Sequence, residues 1–259
     1  MTVTPNSEIQ TPKIELALVL DYSKSMDNNS TGSGSRYVSQ PGKWSTMLAA
    51  VEAFINSLDT TGNISVSIIK FGTTANVAKS MTTVTGSNLN QILNSFGSDP
   101  SSDFNGYTNI QHAINKAVTT FEDPSAAQSI ILFSDGDPTA YYNSSGTLKT
   151  GLDSTTIANA TQAAKDAANA IPKNISCYTI GFDISSNSPA EGVLQYIAAS
   201  GSGNGKYYAS ANDATQLSGV FTEIKKFVVS MISDTVPAPF VIDGNVTVQI
   251  NGVTVDVIA

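Results

Sequence analysis

The chain has 259 residues, of which 41% are hydrophobic, and 13 basic against 21 acidic side chains give a net charge of −8. This length suits one large α/β domain, or one domain with an appendage. The acidic balance excludes a strongly basic face of the kind that binds nucleic acid or anionic lipid, and no apolar run approaches the length that spans a bilayer.

The first half of the chain alternates buried-type strands with amphipathic helices. Residues 14–20 form a nearly continuous apolar run, which is typical of a central parallel strand buried on both faces. Residues 44–58 carry apolar side chains every three or four positions, which predicts a helix that packs one face on a sheet. The other elements predicted here are strands at 64–71 and 75–84, joined by a hairpin-like turn, and helices at 89–96 and 109–121.

The second half continues the alternation. It predicts strands at 129–133, 175–182 and 206–209, helices at 155–170, 190–199 and 214–232, and a loop over 136–153. Strands that alternate with helices indicate an α/β fold. We expect a doubly wound, Rossmann-like, mostly parallel six-stranded sheet with helices on both faces, and residues 75–84 as its one antiparallel edge strand.

The C-terminal stretch follows a different pattern. Residues 246–250 and 253–258 alternate around Asn251-Gly252, a strong signal for a type I′ hairpin. The predicted division is an N-terminal arm (1–13), a main domain (14–232), and a β-hairpin extension or the start of a following β module (233–259). The arm is a candidate to pair with the C-terminal β element.

The single cysteine and the single histidine exclude several kinds of metal site and internal disulfide bonding. Cys177 is the only cysteine, so an internal disulfide framework and a multi-thiolate metal site are excluded. His112 is the only histidine, which excludes His-rich metal sites, and we expect it on a helix surface.

Hard oxygen donors follow the strands at three places. They are Asp21-x-Ser23-x-Ser25, Gly106-Tyr-Thr108-Asn-Ile110 and Ser134-Asp135-Gly-Asp137-Pro. Ligands of open α/β sheets bind outside the carboxyl ends of the strands, which is where these motifs are expected. Hydroxyl and carboxylate oxygens together suit Mg²⁺ or Mn²⁺.

The spacing of the first motif predicts a shared metal site. A strand that ends in a tight turn can direct alternate side chains to one point, so Ser23 and Ser25 can bind a metal while Asp21 anchors it. Thr108 then adds a third hydroxyl and Asp135 a second carboxylate. Two carboxylates balance a divalent cation and leave one coordination position for an anionic oxygen. Alone, the first motif would favour a helix or turn cap, but the combination favours the metal.

These motifs resemble a von Willebrand factor type A domain with a complete metal-ion-dependent adhesion site. The resemblance covers about residues 14–231, and the β tail is similar to the continuation of such domains in Gram-positive pilus and surface adhesins. It implies that Mg²⁺, with Mn²⁺ or Ca²⁺ as substitutes, is coordinated by hydroxyls and bound by carboxylates directly or through water. A partner's Asp or Glu would complete the shell. The residues so implied are Asp21, Ser23, Ser25, Thr108 and Asp135.

Side chains next to these motifs are candidates to contact a ligand. They are Tyr22, Lys24, Tyr107, Asn109, Asp137, Tyr141 and Tyr142. Tyrosines in loops often only pack, and an Asx turn before Pro138 is an equal alternative for Asp137. The loops 27–42 and 138–153 are longer than a minimal domain of this family requires, so both are predicted to shape the binding face.

The resulting hypothesis is a non-enzymatic, extracellular adhesion module that is attached to a cell surface or cell wall. Its expected partner is a protein carboxylate, for example in host extracellular matrix, with a glycan as another candidate. Residues 1–11 have no signal-peptide pattern, so this location requires that the sequence be a fragment of a longer secreted protein. One alternative is an intracellular scaffold of an ATPase or chelatase assembly. Another is a Mg²⁺-dependent phosphatase of the haloacid dehalogenase type, which would need an aspartate where Ser23 stands.

Overall fold

The computed structural model describes residues 13–26, 42–58, 61–97, 106–200, 206–233, 246–250 and 253–257. The strands are β1 (Ile14–Asp21), β2 (Thr61–Phe71), β3 (Ala75–Thr85), β4 (Ala127–Ser134), β5 (Ala140–Tyr142), β6 (Leu148–Thr150), β7 (Ile175–Phe182), β8 (Lys206–Ala211), β9 (Val246–Ile250) and β10 (Val253–Val257). The helices are α1 (Lys43–Asn56), α2 (Leu89–Asn94), α3 (Ile110–Val118), α4 (Ser154–Asn169), α5 (Pro189–Ser200) and α6 (Ala214–Ser233).

The main sheet has six strands in the order β3-β2-β1-β4-β7-β8. Neighbouring strands are parallel except β3, which pairs with β2 in the antiparallel direction at the edge. This confirms the predicted α/β fold. All eight residues of β1 are buried. This agrees with its nearly continuous apolar run, because β1 has a strand on each side and helices on both faces.

Successive side chains of β1 enter two separate cores because strand residues alternate between the faces of a sheet. Leu16, Leu18 and Leu20 belong to the core that also contains apolar residues of α1 and α6. Ala17 and Val19 belong to the core on the other face, with residues of α3, α4 and α5. Each fully buried leucine contributes roughly 1.5–3 kcal/mol by removing apolar surface from water.

The strand order determines where a ligand-binding crevice forms in this sheet. The chain runs from β1 to its neighbour β2 on one side, whereas β4 lies on the other side of β1. In such a sheet the connections diverge at this point and leave a crevice outside the carboxyl ends of the strands. Leu20 is paired with Phe133, so the residues that follow them, Asp21 and Ser134, end β1 and β4 side by side.

The segment predicted as a loop over 136–153 contains a small hairpin instead. β5 and β6 pair through Ala140–Thr150, Tyr141–Lys149 and Tyr142–Leu148. The Asn143 side-chain oxygen accepts hydrogen bonds from the backbone N–H groups of Ser145 and Thr147, and thereby builds the connecting turn. Strands of three residues are too short to produce a readable alternation, which explains the wrong prediction.

The C-terminal stretch forms the predicted pair of strands. β9 and β10 are antiparallel, with Ile250 opposite Val253, and constitute a separate two-stranded sheet. The predicted turn at 251–252, the arm 1–12 and the loop 27–41 lie outside the described residues. Within the described part of the chain, no helix has the length and apolar character needed to cross a membrane.

Candidate metal and ligand site

The turn after β1 gathers the side chains of the first motif. Residues 24–26 form one turn of 3-10 helix, which the Met26 N–H closes by donating to the Ser23 carbonyl over 3.0 Å. Asp21 Oδ1 accepts a hydrogen bond of 2.8 Å from the Ser23 N–H. The hydroxyls of Ser23 and Ser25 are 2.9 Å apart. The tight turn therefore brings alternate side chains together, as the spacing predicted.

The end of β4 contributes two further contacts to the same cluster. The Ser134 hydroxyl donates to Asp21 Oδ2 over 2.6 Å, and the Ser25 hydroxyl donates to Asp135 Oδ1 over 2.6 Å. A Cβ atom added to Gly136 would lie 3.7 Å from Ser25 Oγ, so the two strand ends approach closely. Four of the five predicted metal-site residues are thus joined by hydrogen bonds that run from Asp21 through Ser23 and Ser25 to Asp135.

The fifth residue, Thr108, is buried in the loop that precedes α3. Its backbone N–H donates to Thr139 Oγ1 over 2.8 Å, and its carbonyl accepts from the N–H groups of Thr139 and Ala140. In the same loop, a Cβ atom added to Gly106 would lie 3.5 Å from the Lys24 Cβ. The Thr108 loop therefore lies against the turn after β1 and is held by the residues that follow β4.

The site contains two buried carboxylates. Burial, and then the nearby charge of Asp135, raise the pKa of Asp21 from 3.8 to about 7, although hydrogen bonds from Ser134 and Ser23 act in the opposite direction. Both oxygens of Asp21 accept from neutral donors, so its charge is only solvated by dipoles. A cation bound between the carboxylates would offset this cost.

The donor set fits a hard divalent cation. Mg²⁺ prefers oxygen ligands and binds through one or two carboxylates together with neutral oxygens. Within the described residues, no group of three His, Cys, Asp or Glu side chains is placed to hold a metal ion. A metal here would therefore depend on Ser23, Ser25 and Thr108 as much as on the two aspartates.

A buried cation that was not predicted from the sequence contacts this site. Lys43, the first residue of α1, donates to Asp135 Oδ2 over 2.9 Å and lies 3.3 Å from Asp183 Oδ2. Its side chain is 8% exposed and that of Asp135 is 0% exposed. Burial lowers the pKa of the Lys43 amine, but the charges and hydrogen bonds of Asp135 and Asp183 outweigh burial, and the net pKa is raised.

Three residues in or next to the candidate metal site were not predicted from the sequence, for different reasons. Lys43 lies 92 residues from Asp135 in the chain, and only its unfavourable place at a helix N-terminus was a signal. Asp183 follows β7 with a left-handed backbone (φ 53°) that sequence alone does not indicate. Ser134 stood beside Asp135 in the motif and could have been included.

Two of the predicted ligand contacts are structural. Tyr22 is buried, and its hydroxyl donates to the Phe96 carbonyl over 2.8 Å. Asn109 is also buried, where its side-chain oxygen caps α3 by accepting from the His112 N–H and its amide donates to the Thr73 carbonyl. Their burial disagrees with the prediction that they contact a ligand.

Asp137 anchors a helix. Its Oδ1 accepts a hydrogen bond of 2.8 Å from the N–H of Ala190 in the first turn of α5, where a carboxylate is favoured by the helix dipole. This contact differs from the Asx turn considered as its alternative. Lys24, in the 3-10 turn after β1, and Tyr107, in the loop before α3, are partly exposed.

Tyr141 and Tyr142 lie on β5 and line a groove of about 440 Å³ between the hairpin and α4. The backbone of Tyr142 is tied to the Gln111 side chain by hydrogen bonds of 2.7 and 3.1 Å, and its ring contacts His112 edge-on. His112 is half-buried, in contrast to the expected surface position, because its Nδ1 accepts from the Ala75 N–H over 3.0 Å. Burial, and then the charge of Lys116, lower the pKa of His112.

Comparison with protein families finds one matching family model. Residues 16–138 match the family model of the von Willebrand factor type A domain. All five candidate metal residues lie in that segment. No curated protein matches the chain.

Several solved pilus proteins share the fold. The PilB minor pilin from Streptococcus sanguinis matches with a TM-score of 0.73 and 21% identity over 89% of this chain and 65% of that chain. The pilus adhesin SpaC from Lactobacillus rhamnosus GG, in its open conformation, matches with a TM-score of 0.61 and 14% identity over 86% of this chain. The vWF domain of the type V pili tip protein Mfa5 from Porphyromonas gingivalis matches with a TM-score of 0.60 and 13% identity, covering 89% of this chain and 99% of that chain. The present chain spans 65% of the PilB chain and 31% of the SpaC chain, and at these identities the likeness concerns the fold alone.

Proposed function

We propose that this chain is an extracellular, non-enzymatic adhesion module that binds a carboxylate of a protein partner through Mg²⁺. The observation that carries the proposal is the hydrogen-bonded series from Asp21 through Ser23 and Ser25 to Asp135. It supports the proposal because hydroxyls and carboxylates from two distant parts of the chain lie together at the carboxyl ends of β1 and β4. The cell-surface location is supported by the fold shared with pilus proteins.

The hydroxyls and the carboxylates of the site would have different roles in binding the metal. The hydroxyls of Ser23, Ser25 and Thr108 are neutral donors, so they would hold Mg²⁺ without cancelling its charge. Asp21 and Asp135 would supply the negative charge that retains it. A bound Mg²⁺ supplies a positive centre to which the Asp or Glu oxygen of a partner can attach.

The hairpin of β5 and β6 is the surface that would distinguish partners. It is attached to the Thr108 loop through the Ala140 N–H, so it lies beside the site. Tyr141 and Tyr142 give its groove aromatic surface, which suits recognition of protein side chains and also of sugar rings. A glycan therefore remains the second candidate ligand.

Magnesium uptake is the direct test of the metal site. We expect isothermal titration calorimetry on EDTA-treated protein to show one bound Mg²⁺ per chain. Ser25→Ala and Thr108→Ala should weaken binding at least about tenfold, because each removes a neutral ligand. Ser80→Ala, an exposed serine in β3, is the matched control and should bind like the wild type. Absence of Mg²⁺ binding, or equal binding by all variants, would contradict the proposal.

The carboxylate can be tested with Mn²⁺ as a substitute metal and acetate as the probe. Bound Mn²⁺ enhances water-proton relaxation, and acetate should lower the enhancement by displacing a metal-bound water. An enhancement that acetate leaves unchanged would count against a carboxylate partner. Mg²⁺-dependent hydrolysis of p-nitrophenyl phosphate that Asp21→Asn abolishes would favour the phosphatase alternative instead.

A further inference from the structure

The site contains a positive charge of its own. Lys43 reaches from the start of α1 to the end of β4, where its ammonium lies 2.9 Å from Asp135 Oδ2. On its other side it lies 3.3 Å from Asp183 Oδ2, and the Asp183 side chain is 39% exposed. One lysine thus connects α1 with the residues at the ends of β4 and β7.

This position is unfavourable for a lysine by every local criterion. The N-terminus of a helix carries partial positive charge and disfavours cations, and the first turn of α1 has no acidic residue. Burial of an ammonium group is costly unless a carboxylate pairs with it. Asp135, with Asp183 on the other side, therefore holds Lys43 in the site, and Lys43 in turn occupies one of the two Asp135 oxygens.

The other Asp135 oxygen faces the hydroxyl cluster through Ser25. The carboxylate is consequently shared between an internal cation and the candidate metal position. Asp21 has no comparable neutralisation from its two hydrogen-bond donors, which are an N–H group and a hydroxyl. The two aspartates of the site are thus unequal in the negative charge that they offer to a metal.

We propose that Lys43 is an internal counter-cation that neutralises Asp135 and thereby lowers the affinity of the site for a divalent metal. The inference rests on the proposed metal function and deepens it. A metal that is less neutralised by its own ligands retains more positive charge toward an incoming carboxylate. Lys43 acts through Asp135 and is a positioning and charge-setting residue, not a metal ligand.

Substitution of Lys43 gives a result with a definite sign. Mg²⁺ titrations should show binding at least about tenfold tighter in Lys43→Met and in Lys43→Gln, because removal of a nearby positive charge favours the cation. Lys43→Arg keeps the charge and should stay within about threefold of the wild type. The control is Lys226→Met, which removes an exposed lysine on α6 and should leave Mg²⁺ affinity unchanged.

Thermal stability is a second readout, and its first part needs no bound metal. In EDTA, Lys43→Met should melt at a lower temperature than the wild type, because Asp135 is left buried without its cation. Saturating Mg²⁺ should then raise its melting temperature by more than it raises that of the wild type. Lys43→Gln keeps a hydrogen-bond donor for Asp135 and provides the measurement if the methionine variant fails to fold.

The outcomes separate this inference from the proposed function. Wild-type binding of Mg²⁺ with equal or weaker binding in Lys43→Met and Lys43→Gln would overturn the role of Lys43 and leave the metal site intact. Binding by these variants but not by the wild type would support the role of Lys43 and overturn Mg²⁺ as the natural occupant. Binding by neither would overturn both.

Discussion

Replacement of Asp21 by asparagine should stabilise the metal-free protein at alkaline pH. Asp21 is buried, and its pKa is raised from 3.8 to about 7 by burial and then by Asp135. Asparagine removes the charge but keeps the shape and an acceptor oxygen for the Ser23 N–H. The Ser134 hydroxyl can turn to accept from the new amide, so the two contacts of residue 21 are preserved.

The magnitude and sign follow from proton linkage. Between pH 4 and pH 7 the folded protein retains a proton on Asp21 that the unfolded chain has released, so the free energy of unfolding falls as the pH rises. A shift from 3.8 to about 7 is roughly three units, and at 1.36 kcal/mol per unit it corresponds to about 4 kcal/mol. The full loss is present above pH 7, and protonation removes it at low pH.

Urea unfolding in EDTA at pH 5 and pH 8 measures this effect. We expect Asp21→Asn to be more stable than the wild type by about 1–2 kcal/mol at pH 5 and by about 4 kcal/mol at pH 8, because the wild type loses stability progressively between the two pKa values of Asp21. The difference between the two proteins cancels the titration of His112, which both contain. Asp166→Asn, an exposed aspartate on α4, is the matched control and should give no pH-dependent difference.

Saturating Mg²⁺ should make the wild type more stable than Asp21→Asn. At saturating Mg²⁺ the wild type gains stability by mass action, whereas the variant lacks one of the two site carboxylates and should gain much less. A stability difference between Asp21→Asn and the wild type that is the same at pH 5 and pH 8 in EDTA would refute the reasoning. It would mean that the buried carboxylate costs the metal-free fold nothing.

Two further substitutions distinguish residues that stabilise only the fold from residues that also position the metal site. Tyr22→Phe removes the buried hydrogen bond to the Phe96 carbonyl and should lower the free energy of unfolding by about 1–2 kcal/mol. Its Mg²⁺ affinity should be unchanged, and a clear loss of metal binding would show that Tyr22 acts in the site. Thr139→Val removes the acceptor of the buried Thr108 N–H, so both the free energy of unfolding, by about 1–2 kcal/mol, and the Mg²⁺ affinity, several-fold, should decrease. Wild-type Mg²⁺ binding by Thr139→Val in calorimetry would contradict the role of this hydrogen bond in placing Thr108.

Most of the fold was predictable because its signals are local. The continuous apolar run of β1 indicates a strand that is buried on both faces. The periodic apolar residues of α1 indicate a helix that is buried on one face. Both elements form where they were predicted. The hairpin of β5 and β6 was missed because it depends on the Asn143 side chain and on pairing with a short partner strand. Neither leaves a periodic pattern in the sequence.

The candidate metal site lies at the carboxyl ends of β1 and β4. The sequence alone determined the donor chemistry there, since hydroxyls and carboxylates follow strands whose ends must meet in a parallel sheet. Only the tertiary structure decided which side chains face the cluster: it buried Tyr22 and Asn109 for the fold and brought Lys43 to Asp135. The physical reason is that a charge pair between residues 92 positions apart depends on how α1 packs against the sheet, and no local spacing encodes that.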